Sequence, residues 1–153
     1  MQDAHNQGMD EDAAQRRERA ERADYHVAEQ QRRSERESAK AQILVDRFIE
    51  RATSAGVPTE ELTARPWSGG GRYRTGVQGW YLRQDRSVAV GVDGSYYVLI
   101  VAPERLGRWR RVHVAPTPPP LQVGQGGRDG ESVALDVLLD LRMTWADAGG
   151  DRS

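Results

Sequence analysis

The dipeptide Asp93-Gly94, set between the apolar runs 88–92 and 96–101, constrains this chain more than any other feature. A two-residue type I′ turn needs positive φ at both central positions, which Asp-Gly tolerates, and its twist suits the flanking strands. The sequence predicts a hairpin with Val92 facing Ser95, Gly91 facing Tyr96, Val90 facing Tyr97, Ala89 facing Val98 and Val88 facing Leu99. The Tyr96 ring would then cover the bare Gly91. A second turn at Gln84-Asp85 places Trp80 opposite Ala89. One sheet face then carries Tyr81, Val88, Val90, Val92, Tyr97, Leu99 and Val101. The other carries Trp80, Leu82, Ala89, Gly91, Tyr96, Val98 and Ile100, so the strand over 96–101 is apolar on both sides. With runs 80–82 and 109–114 as further strands, residues 72–115 read as a four-stranded antiparallel β-meander.

The chain before the sheet is of another kind. Residues 1–9 are polar and read as disordered, and residues 10–38 are dominated by Arg, Glu, Gln, Asp and Ala. Arg17 with Glu21, Glu18 with Arg22, Glu29 with Arg33 and Arg33 with Glu37 are opposite charges at i,i+4 spacing, each worth about 0.2–0.5 kcal/mol in a helix. Ala13, Ala20, Val27, Ser34, Ala41 and Phe48 recur every seven residues. The matching d positions hold Arg16, Ala23, Gln30, Glu37, Leu44 and Arg51, so only the last part resembles a coiled-coil seam. Segment 1–38 is thus a polar, highly charged arm, helical or partly disordered. A solvated helix and a self-associating coiled coil both fit it.

From 39 to 55 the helix becomes amphipathic, with Ala41, Leu44, Val45, Phe48 and Ala52 on one face and Ile49 at its edge. Gly56 and Pro58 stop it. Thr59-Glu60-Glu61-Leu62 reads as a short capped helical turn, ended by Arg65-Pro66. Residues 68–71 read as a flexible joint. After the meander, 116–131 is a Pro/Gly linker and 132–146 a helix striped by Ala134, Val137, Leu138, Leu141 and Trp145. Residues 148–153 are a disordered tail. The expected class is α+β: a charged helix running into an amphipathic one, a four-stranded antiparallel meander and a C-terminal amphipathic helix, with 39–147 as the domain.

Composition narrows function mainly by exclusion. The chain has 153 residues, of which 37 % are apolar, and no cysteine. Disulfides, thiolate metal sites and a cysteine nucleophile are ruled out. The first 30 residues show no apolar h-region, and no run approaches the roughly 20 apolar residues that span a bilayer. The chain reads as soluble and cytoplasmic, with no membrane partner. Its arginines outnumber lysines 21 to 1, a bias that a GC-rich genome such as an actinobacterium's produces. Charge is segregated. Segment 1–64 carries ten Lys and Arg against fourteen acids, 65–114 nine Arg against three, and 115–153 three Arg against six.

No catalytic set emerges. His5, His26 and His113 are far apart, and no serine nucleophile elbow is present. Asp136 and Asp140 share a helix face but lack a third ligand. The loop 124–130 misses a dinucleotide-binding spacing because Asp129 stands where the third glycine belongs. Asp129 and Glu131 suit the start of a helix better than a phosphate. No catalytic residue, cofactor or metal is therefore expected.

The sharper binding signal is basic. Arg72, Arg74, Arg83, Arg86, Arg105, Arg108, Arg110 and Arg111 interleave with Tyr73, Trp80, Tyr81 and Trp109. Arginine neutralises phosphate and aromatic rings stack on bases. The candidate nucleic-acid or anion site is Arg72, Arg74, Trp80, Tyr96, Arg108, Trp109, Arg110 and Arg111. The competing reading makes Trp80 and Tyr81 core and pairs the arginines with the acidic N-terminal helix. The leading functional expectation is a non-enzymatic protein-interaction, adaptor or chaperone-like module that binds a protein partner or a second copy of itself. A nucleic-acid-binding protein using the basic β region is the alternative. The exposure of the Trp80/Tyr96 face decides whether those aromatics are available to a ligand.

Overall fold

The structure, a computed structural model, describes residues 3–124 and 131–146, with side chains from residue 6 onward. The expected glycine-rich cap over 125–130 and the tail over 148–153 lie outside the described residues. Two compact units divide the chain, Met1–Glu37 and Ser38–Ser153.

Helix α1 runs Asp3–Ser54. It replaces the expected disorder over 1–9 from Asp3 onward. The Ala, Glu, Gln and Arg content extends helix toward the N-terminus, and Gly8 weakens it by only about 1 kcal/mol. Within the first unit, Glu18 pairs with Arg22 at 3.5 Å. Glu29 pairs with Arg32 at 2.9 Å, one residue earlier than the sequence spacing predicts. Ala20, Val27 and Ser34 are exposed in the single chain.

In the second unit, the last turns of α1 bury Ala41, Val45, Phe48 and Ala52, with Leu44 and Ile49 packed beside them. This is the face that the period predicts. Just past the helix, Gly56 takes a φ of 70° that lets the Val57 N–H reach back to the Ala52 carbonyl at 2.9 Å.

The expected helical turn at 59–62 is instead the start of strand β1, Glu60–Pro66. Leu62, Ala64 and Pro66 turn inward at period two, and that pairing surface overrides the local helix signal. Strand β2 spans Tyr73–Tyr81, β3 Val88–Gly91, β4 Tyr96–Val98 and β5 Ile100–Val101. Gly69, Gly70 and Gly71 between β1 and β2 have φ of 79°, 90° and 120°, a path that L side chains resist. The sheet order is β4-β3-β2-β1-β5, antiparallel except for the parallel β1/β5 pair. The sheet is therefore mixed and five-stranded, and it replaces the expected four-stranded antiparallel meander.

Only Leu99 separates β4 from β5, yet they lie at opposite ends of the strand order. The Leu99 N–H donates to the Ser87 carbonyl at 2.8 Å, and the Leu99 carbonyl accepts from the Arg65 N–H at 2.8 Å. One continuous stretch thus bridges β3 and β1, and the sheet curls to meet it.

Both hairpins differ from expectation by one residue. Val90 faces Tyr96, Ala89 faces Tyr97 and Val88 faces Val98. The loop is Val92-Asp93-Gly94, closed by Gly91 N–H donating to the Ser95 carbonyl at 2.8 Å. Asp93 Oδ1 accepts from the Ser95 N–H at 3.0 Å, and Gly94 takes φ of 93°, so Asp-Gly ends a longer turn rather than forming a two-residue one. Likewise Trp80 faces Val90, not Ala89, because the turn spans 83–87, with Asp85 Oδ1 accepting from the Ser87 N–H at 3.0 Å and Arg86 at φ 59°. A one-residue change moves a strand's side chains to the opposite face. Val88 and Val90 therefore join Trp80, Leu82 and Tyr96, while Ala89 joins Tyr81, Tyr97 and Leu99. The ring near Gly91 is Tyr97, not Tyr96.

The expected strand over 109–114 is irregular, although Val112 and Val114 are buried in the Leu62/Tyr81/Leu99 cluster. The expected linker contains β6, Gln122–Gly124, which pairs with β7, Ser132–Ala134. The C-terminal helix α2 is shorter than expected, Leu135–Arg142. It buries Leu135, Leu138, Leu139 and Arg142 and leaves Val137 and Leu141 exposed, a different stripe from the one expected. Of the expected stripe, Ala134 falls in β7 and Trp145 beyond the helix end, and the buried face is built around Leu135, Leu138 and Leu139 instead. No helix among the described residues is long and apolar enough to cross a membrane.

Candidate functional site

The eight residues expected to form a site separate into two groups. Trp80 and Tyr96 are buried in the core packed against α1, where Trp80 meets Phe48 edge to face at 5.9 Å. They are not available to a ligand as a sheet-face platform. Arg72, Arg74, Arg108, Trp109, Arg110 and Arg111 instead line one cleft of about 280 Å³.

Local backbone builds that cleft. Thr75, Gly76 and Val77 of β2 stand opposite the single Leu62 of β1, a bulge that bends the strand. The Gly76 N–H donates to Glu61 Oε1 at 3.1 Å. Glu61 also takes Arg74 Nη2 at 2.9 Å and Arg111 Nε at 3.3 Å. The Arg74 hydrogen bond is the main force holding the Glu61 carboxyl below its ordinary range, against the upward push of burial. The arginine loop is anchored from beneath. Gly107 lies on the Tyr73 ring so closely that a β-carbon would fall 2.6 Å from it. The Tyr73 hydroxyl accepts from the Glu104 N–H at 3.2 Å, and the Val112 N–H donates to the Arg74 carbonyl at 2.8 Å.

A second surface escapes the sequence reading. An apolar groove of about 350 Å³ runs beside Tyr96, Val98 and Ile100 and is walled by Val88, Pro118, Pro120 and Val123. Val98 is 44 % exposed and Ile100 38 %. In an antiparallel ladder, hydrogen-bonded and non-hydrogen-bonded pairs alternate. Gly91 bonds Ser95 and Ser87 bonds Leu99, so Val88/Val98 is a non-bonded pair and the Val98 N–H and C=O point away from β3. Beyond β3 the same edge of the strand bonds to β1 through Leu99 and Val101, which leaves the Ile100 backbone pointing outward beside that of Val98. Thr117 N–H donates to the Tyr96 carbonyl at 2.8 Å and starts to cover this edge. Pro118 then removes a donor, and the strands that follow among the described residues, β6 and β7, pair with each other and not with this edge. The edge over Val98 and Ile100 stays open.

Polar groups sit at the rim of the groove. Arg83 Nη1 donates to the Gly124 carbonyl at 2.6 Å. Burial pushes the Asp85 carboxyl up, but the Ser87 hydroxyl and N–H, then Arg83 and Arg65, hold it below its ordinary range. Arg65 makes no side-chain hydrogen bond among the described residues and is half-buried. The Tyr96 hydroxyl is pushed up to about 12 by burial, only partly offset by Arg83. The signal in the sequence was the alternation of Val98 and Ile100 beside a Thr-Pro run, which a two-sided apolar reading of that strand conceals.

The remaining expected features do not assemble. His113 is exposed between buried Val112 and Val114, and Asp140 pairs with Arg51 at 2.9 Å. Among the described residues no group of three His, Cys, Asp or Glu is placed to hold a metal. No family model, curated protein or solved structure matches the chain.

Proposed function

We propose that this chain is a non-enzymatic protein-interaction module, and that its groove receives an extended polypeptide segment that adds as a strand along Val98 and Ile100. The carrying observation is the open strand edge: outward-pointing backbone groups beside exposed Val98 and Ile100, over an apolar groove. Strand addition takes affinity from backbone hydrogen bonds and specificity from pockets for alternate side chains. The rim favours a segment carrying an acidic residue, because Arg65 and Arg83 face one carboxylate, Asp85. Asp85 is already occupied by Ser87 at 2.6 Å from its hydroxyl, which leaves it poorly placed as an acid or base.

Selection from a displayed random-peptide library on the full chain tests this, with selected peptides then synthesised and titrated. Apolar residues at alternate positions with an Asp or Glu nearby are expected. Val98→Lys with Ile100→Lys should weaken binding at least tenfold while leaving the circular dichroism unchanged. Peptides that bind this double variant as well as wild type would remove the groove from the proposal. Sedimentation velocity across a concentration series distinguishes the remaining occupant: a dimer abolished by the same variant would make a second copy of the chain the partner.

A further inference from the structure

We propose that the cleft around Trp109 is a separate binding site for single-stranded nucleic acid, with the arginines on backbone phosphates and the Trp109 indole stacked on a base. The cleft shares no residue with the strand-docking groove.

Charge is the first support. Five guanidiniums line the cleft, and among the described residues the one carboxylate that ion-pairs with any of them is Glu61, which meets Arg74 and Arg111. Arg72 and Arg108 are held by neutral acceptors instead. Arg72 donates to Thr63 Oγ1 at 2.5 Å and to the Thr63 carbonyl at 3.0 Å. Arg108 donates to the Gly70 carbonyl at 2.9 Å. Such bonds fix the position of a guanidinium without neutralising it, so the charges of Arg72 and Arg108 are preorganised and keep their positive field. Arg110 is exposed, and its side chain makes no hydrogen bond or ion pair among the described residues, while its backbone N–H holds the loop at the Leu106 carbonyl at 2.9 Å. Arginines placed this way lose little side-chain freedom on meeting phosphate, and the release of counterions from the nucleic acid drives association.

The aromatic group is the second support, and it selects the ligand. Trp109 is 83 % exposed in the middle of the arginine run, on a loop anchored through Gly107 and Tyr73. An indole held out in water on an anchored loop offers a flat face to a ligand. Stacking on an unpaired base is worth about 1–3 kcal/mol per base and tolerates any sequence. A duplex keeps its base faces covered, and an acidic polypeptide offers charge without rings. The Arg108 bond to Gly70 also ties this loop to the turn that bears Trp67, which is 71 % exposed. A second platform on the same tied pair of loops suits an extended strand rather than a single nucleotide.

Fluorescence anisotropy of labelled oligo(dT) of about 15 nucleotides in about 50 mM salt, on the full chain, tests the site. A duplex of equal length and polyglutamate serve as competitors. Saturable binding of oligo(dT) with quenching of tryptophan fluorescence is expected, with both competitors at least tenfold weaker. Arg108→Ala with Arg110→Ala should weaken binding at least tenfold and lower the salt slope by roughly 0.7 for each phosphate that goes unneutralised. Because Arg108 also holds a turn, Arg110→Glu and Trp109→Ala, both at exposed positions, provide independent variants. Trp109→Ala should weaken binding severalfold and remove most of the quench. Absence of binding, equal binding by these variants, or equal capture of duplex or polyglutamate would each overturn the assignment.

Discussion

Gly79 of β2 lies directly against the backbone of Val90 of β3: a β-carbon at Gly79 would overlap the Val90 carbonyl oxygen and come within 2.9 Å of Gly91 Cα. The neighbours are backbone, so they cannot swing aside. Close packing makes such overlap costly, typically about 1–3 kcal/mol and more when main chain must move. Gly79→Ala is expected to destabilise the fold by at least about 2 kcal/mol. Urea unfolding would check it, with a lowered midpoint expected and a wild-type midpoint counting against this packing.

Phe48 and Trp80 join α1 to the sheet through an edge-to-face contact at 86°. Trp80 also donates its indole N–H to the Val57 carbonyl at 3.1 Å, so its ring is fixed at both ends. Phe48→Ala should cost about 3–5 kcal/mol through lost burial and an unfilled cavity. Near-ultraviolet circular dichroism should also lose part of its tryptophan signal, since the ring keeps its hydrogen bond but not its packing partner. Retention of both stability and signal would mean that α1 does not cover this face.

The sequence could be read where local pattern and tertiary packing agree. The buried face of α1 follows from its period, because Ala41, Val45, Phe48 and Ala52 have a single apolar surface to offer. The clustering of Arg72, Arg74 and 108–111 also follows, since both segments are basic and both flank the sheet. Register was less legible. Asp93-Gly94 marks a turn but does not reveal whether Val92 belongs to the strand or the loop; the Asp93 bond to Ser95 decides it. That single residue moves Val88 and Val90 to the other face. The parallel pairing of β1 with β5 could not be read at all, because it joins Arg65 to Ile100 through curvature of the whole sheet. The open edge at Val98 is invisible for the same reason.

The Asp93 carboxylate organises the tight loop through two bonds, to the Ser95 N–H at 3.0 Å and the Ser95 hydroxyl at 3.1 Å. Asp93→Ala removes both and should lower stability by about 1 kcal/mol. Asp93→Asn keeps an acceptor for the backbone N–H and should recover most of that loss. Parallel thermal melts of the two variants would test this, and equal melting by both would show that charge rather than the acceptor matters.

Tyr96 gives the fold an alkaline limit. Its hydroxyl titrates at about 12 in the folded chain against an ordinary value of 10.0, chiefly because burial disfavours the phenolate. A pKa raised by folding means that the neutral phenol is the form the fold favours. Its contribution is complete below pH 10, falls as pH rises from 10 to 12, and is lost above that range. A shift of this size corresponds to about 2–3 kcal/mol over the window. Tyr96→Phe cannot ionise, so it should lose less stability than wild type between pH 9 and pH 12 by roughly that amount. Urea unfolding of both proteins across this window isolates the effect, because the other tyrosines and Lys40 are common to both. Parallel stability curves would show that Tyr96 ionises as freely in the fold as in water.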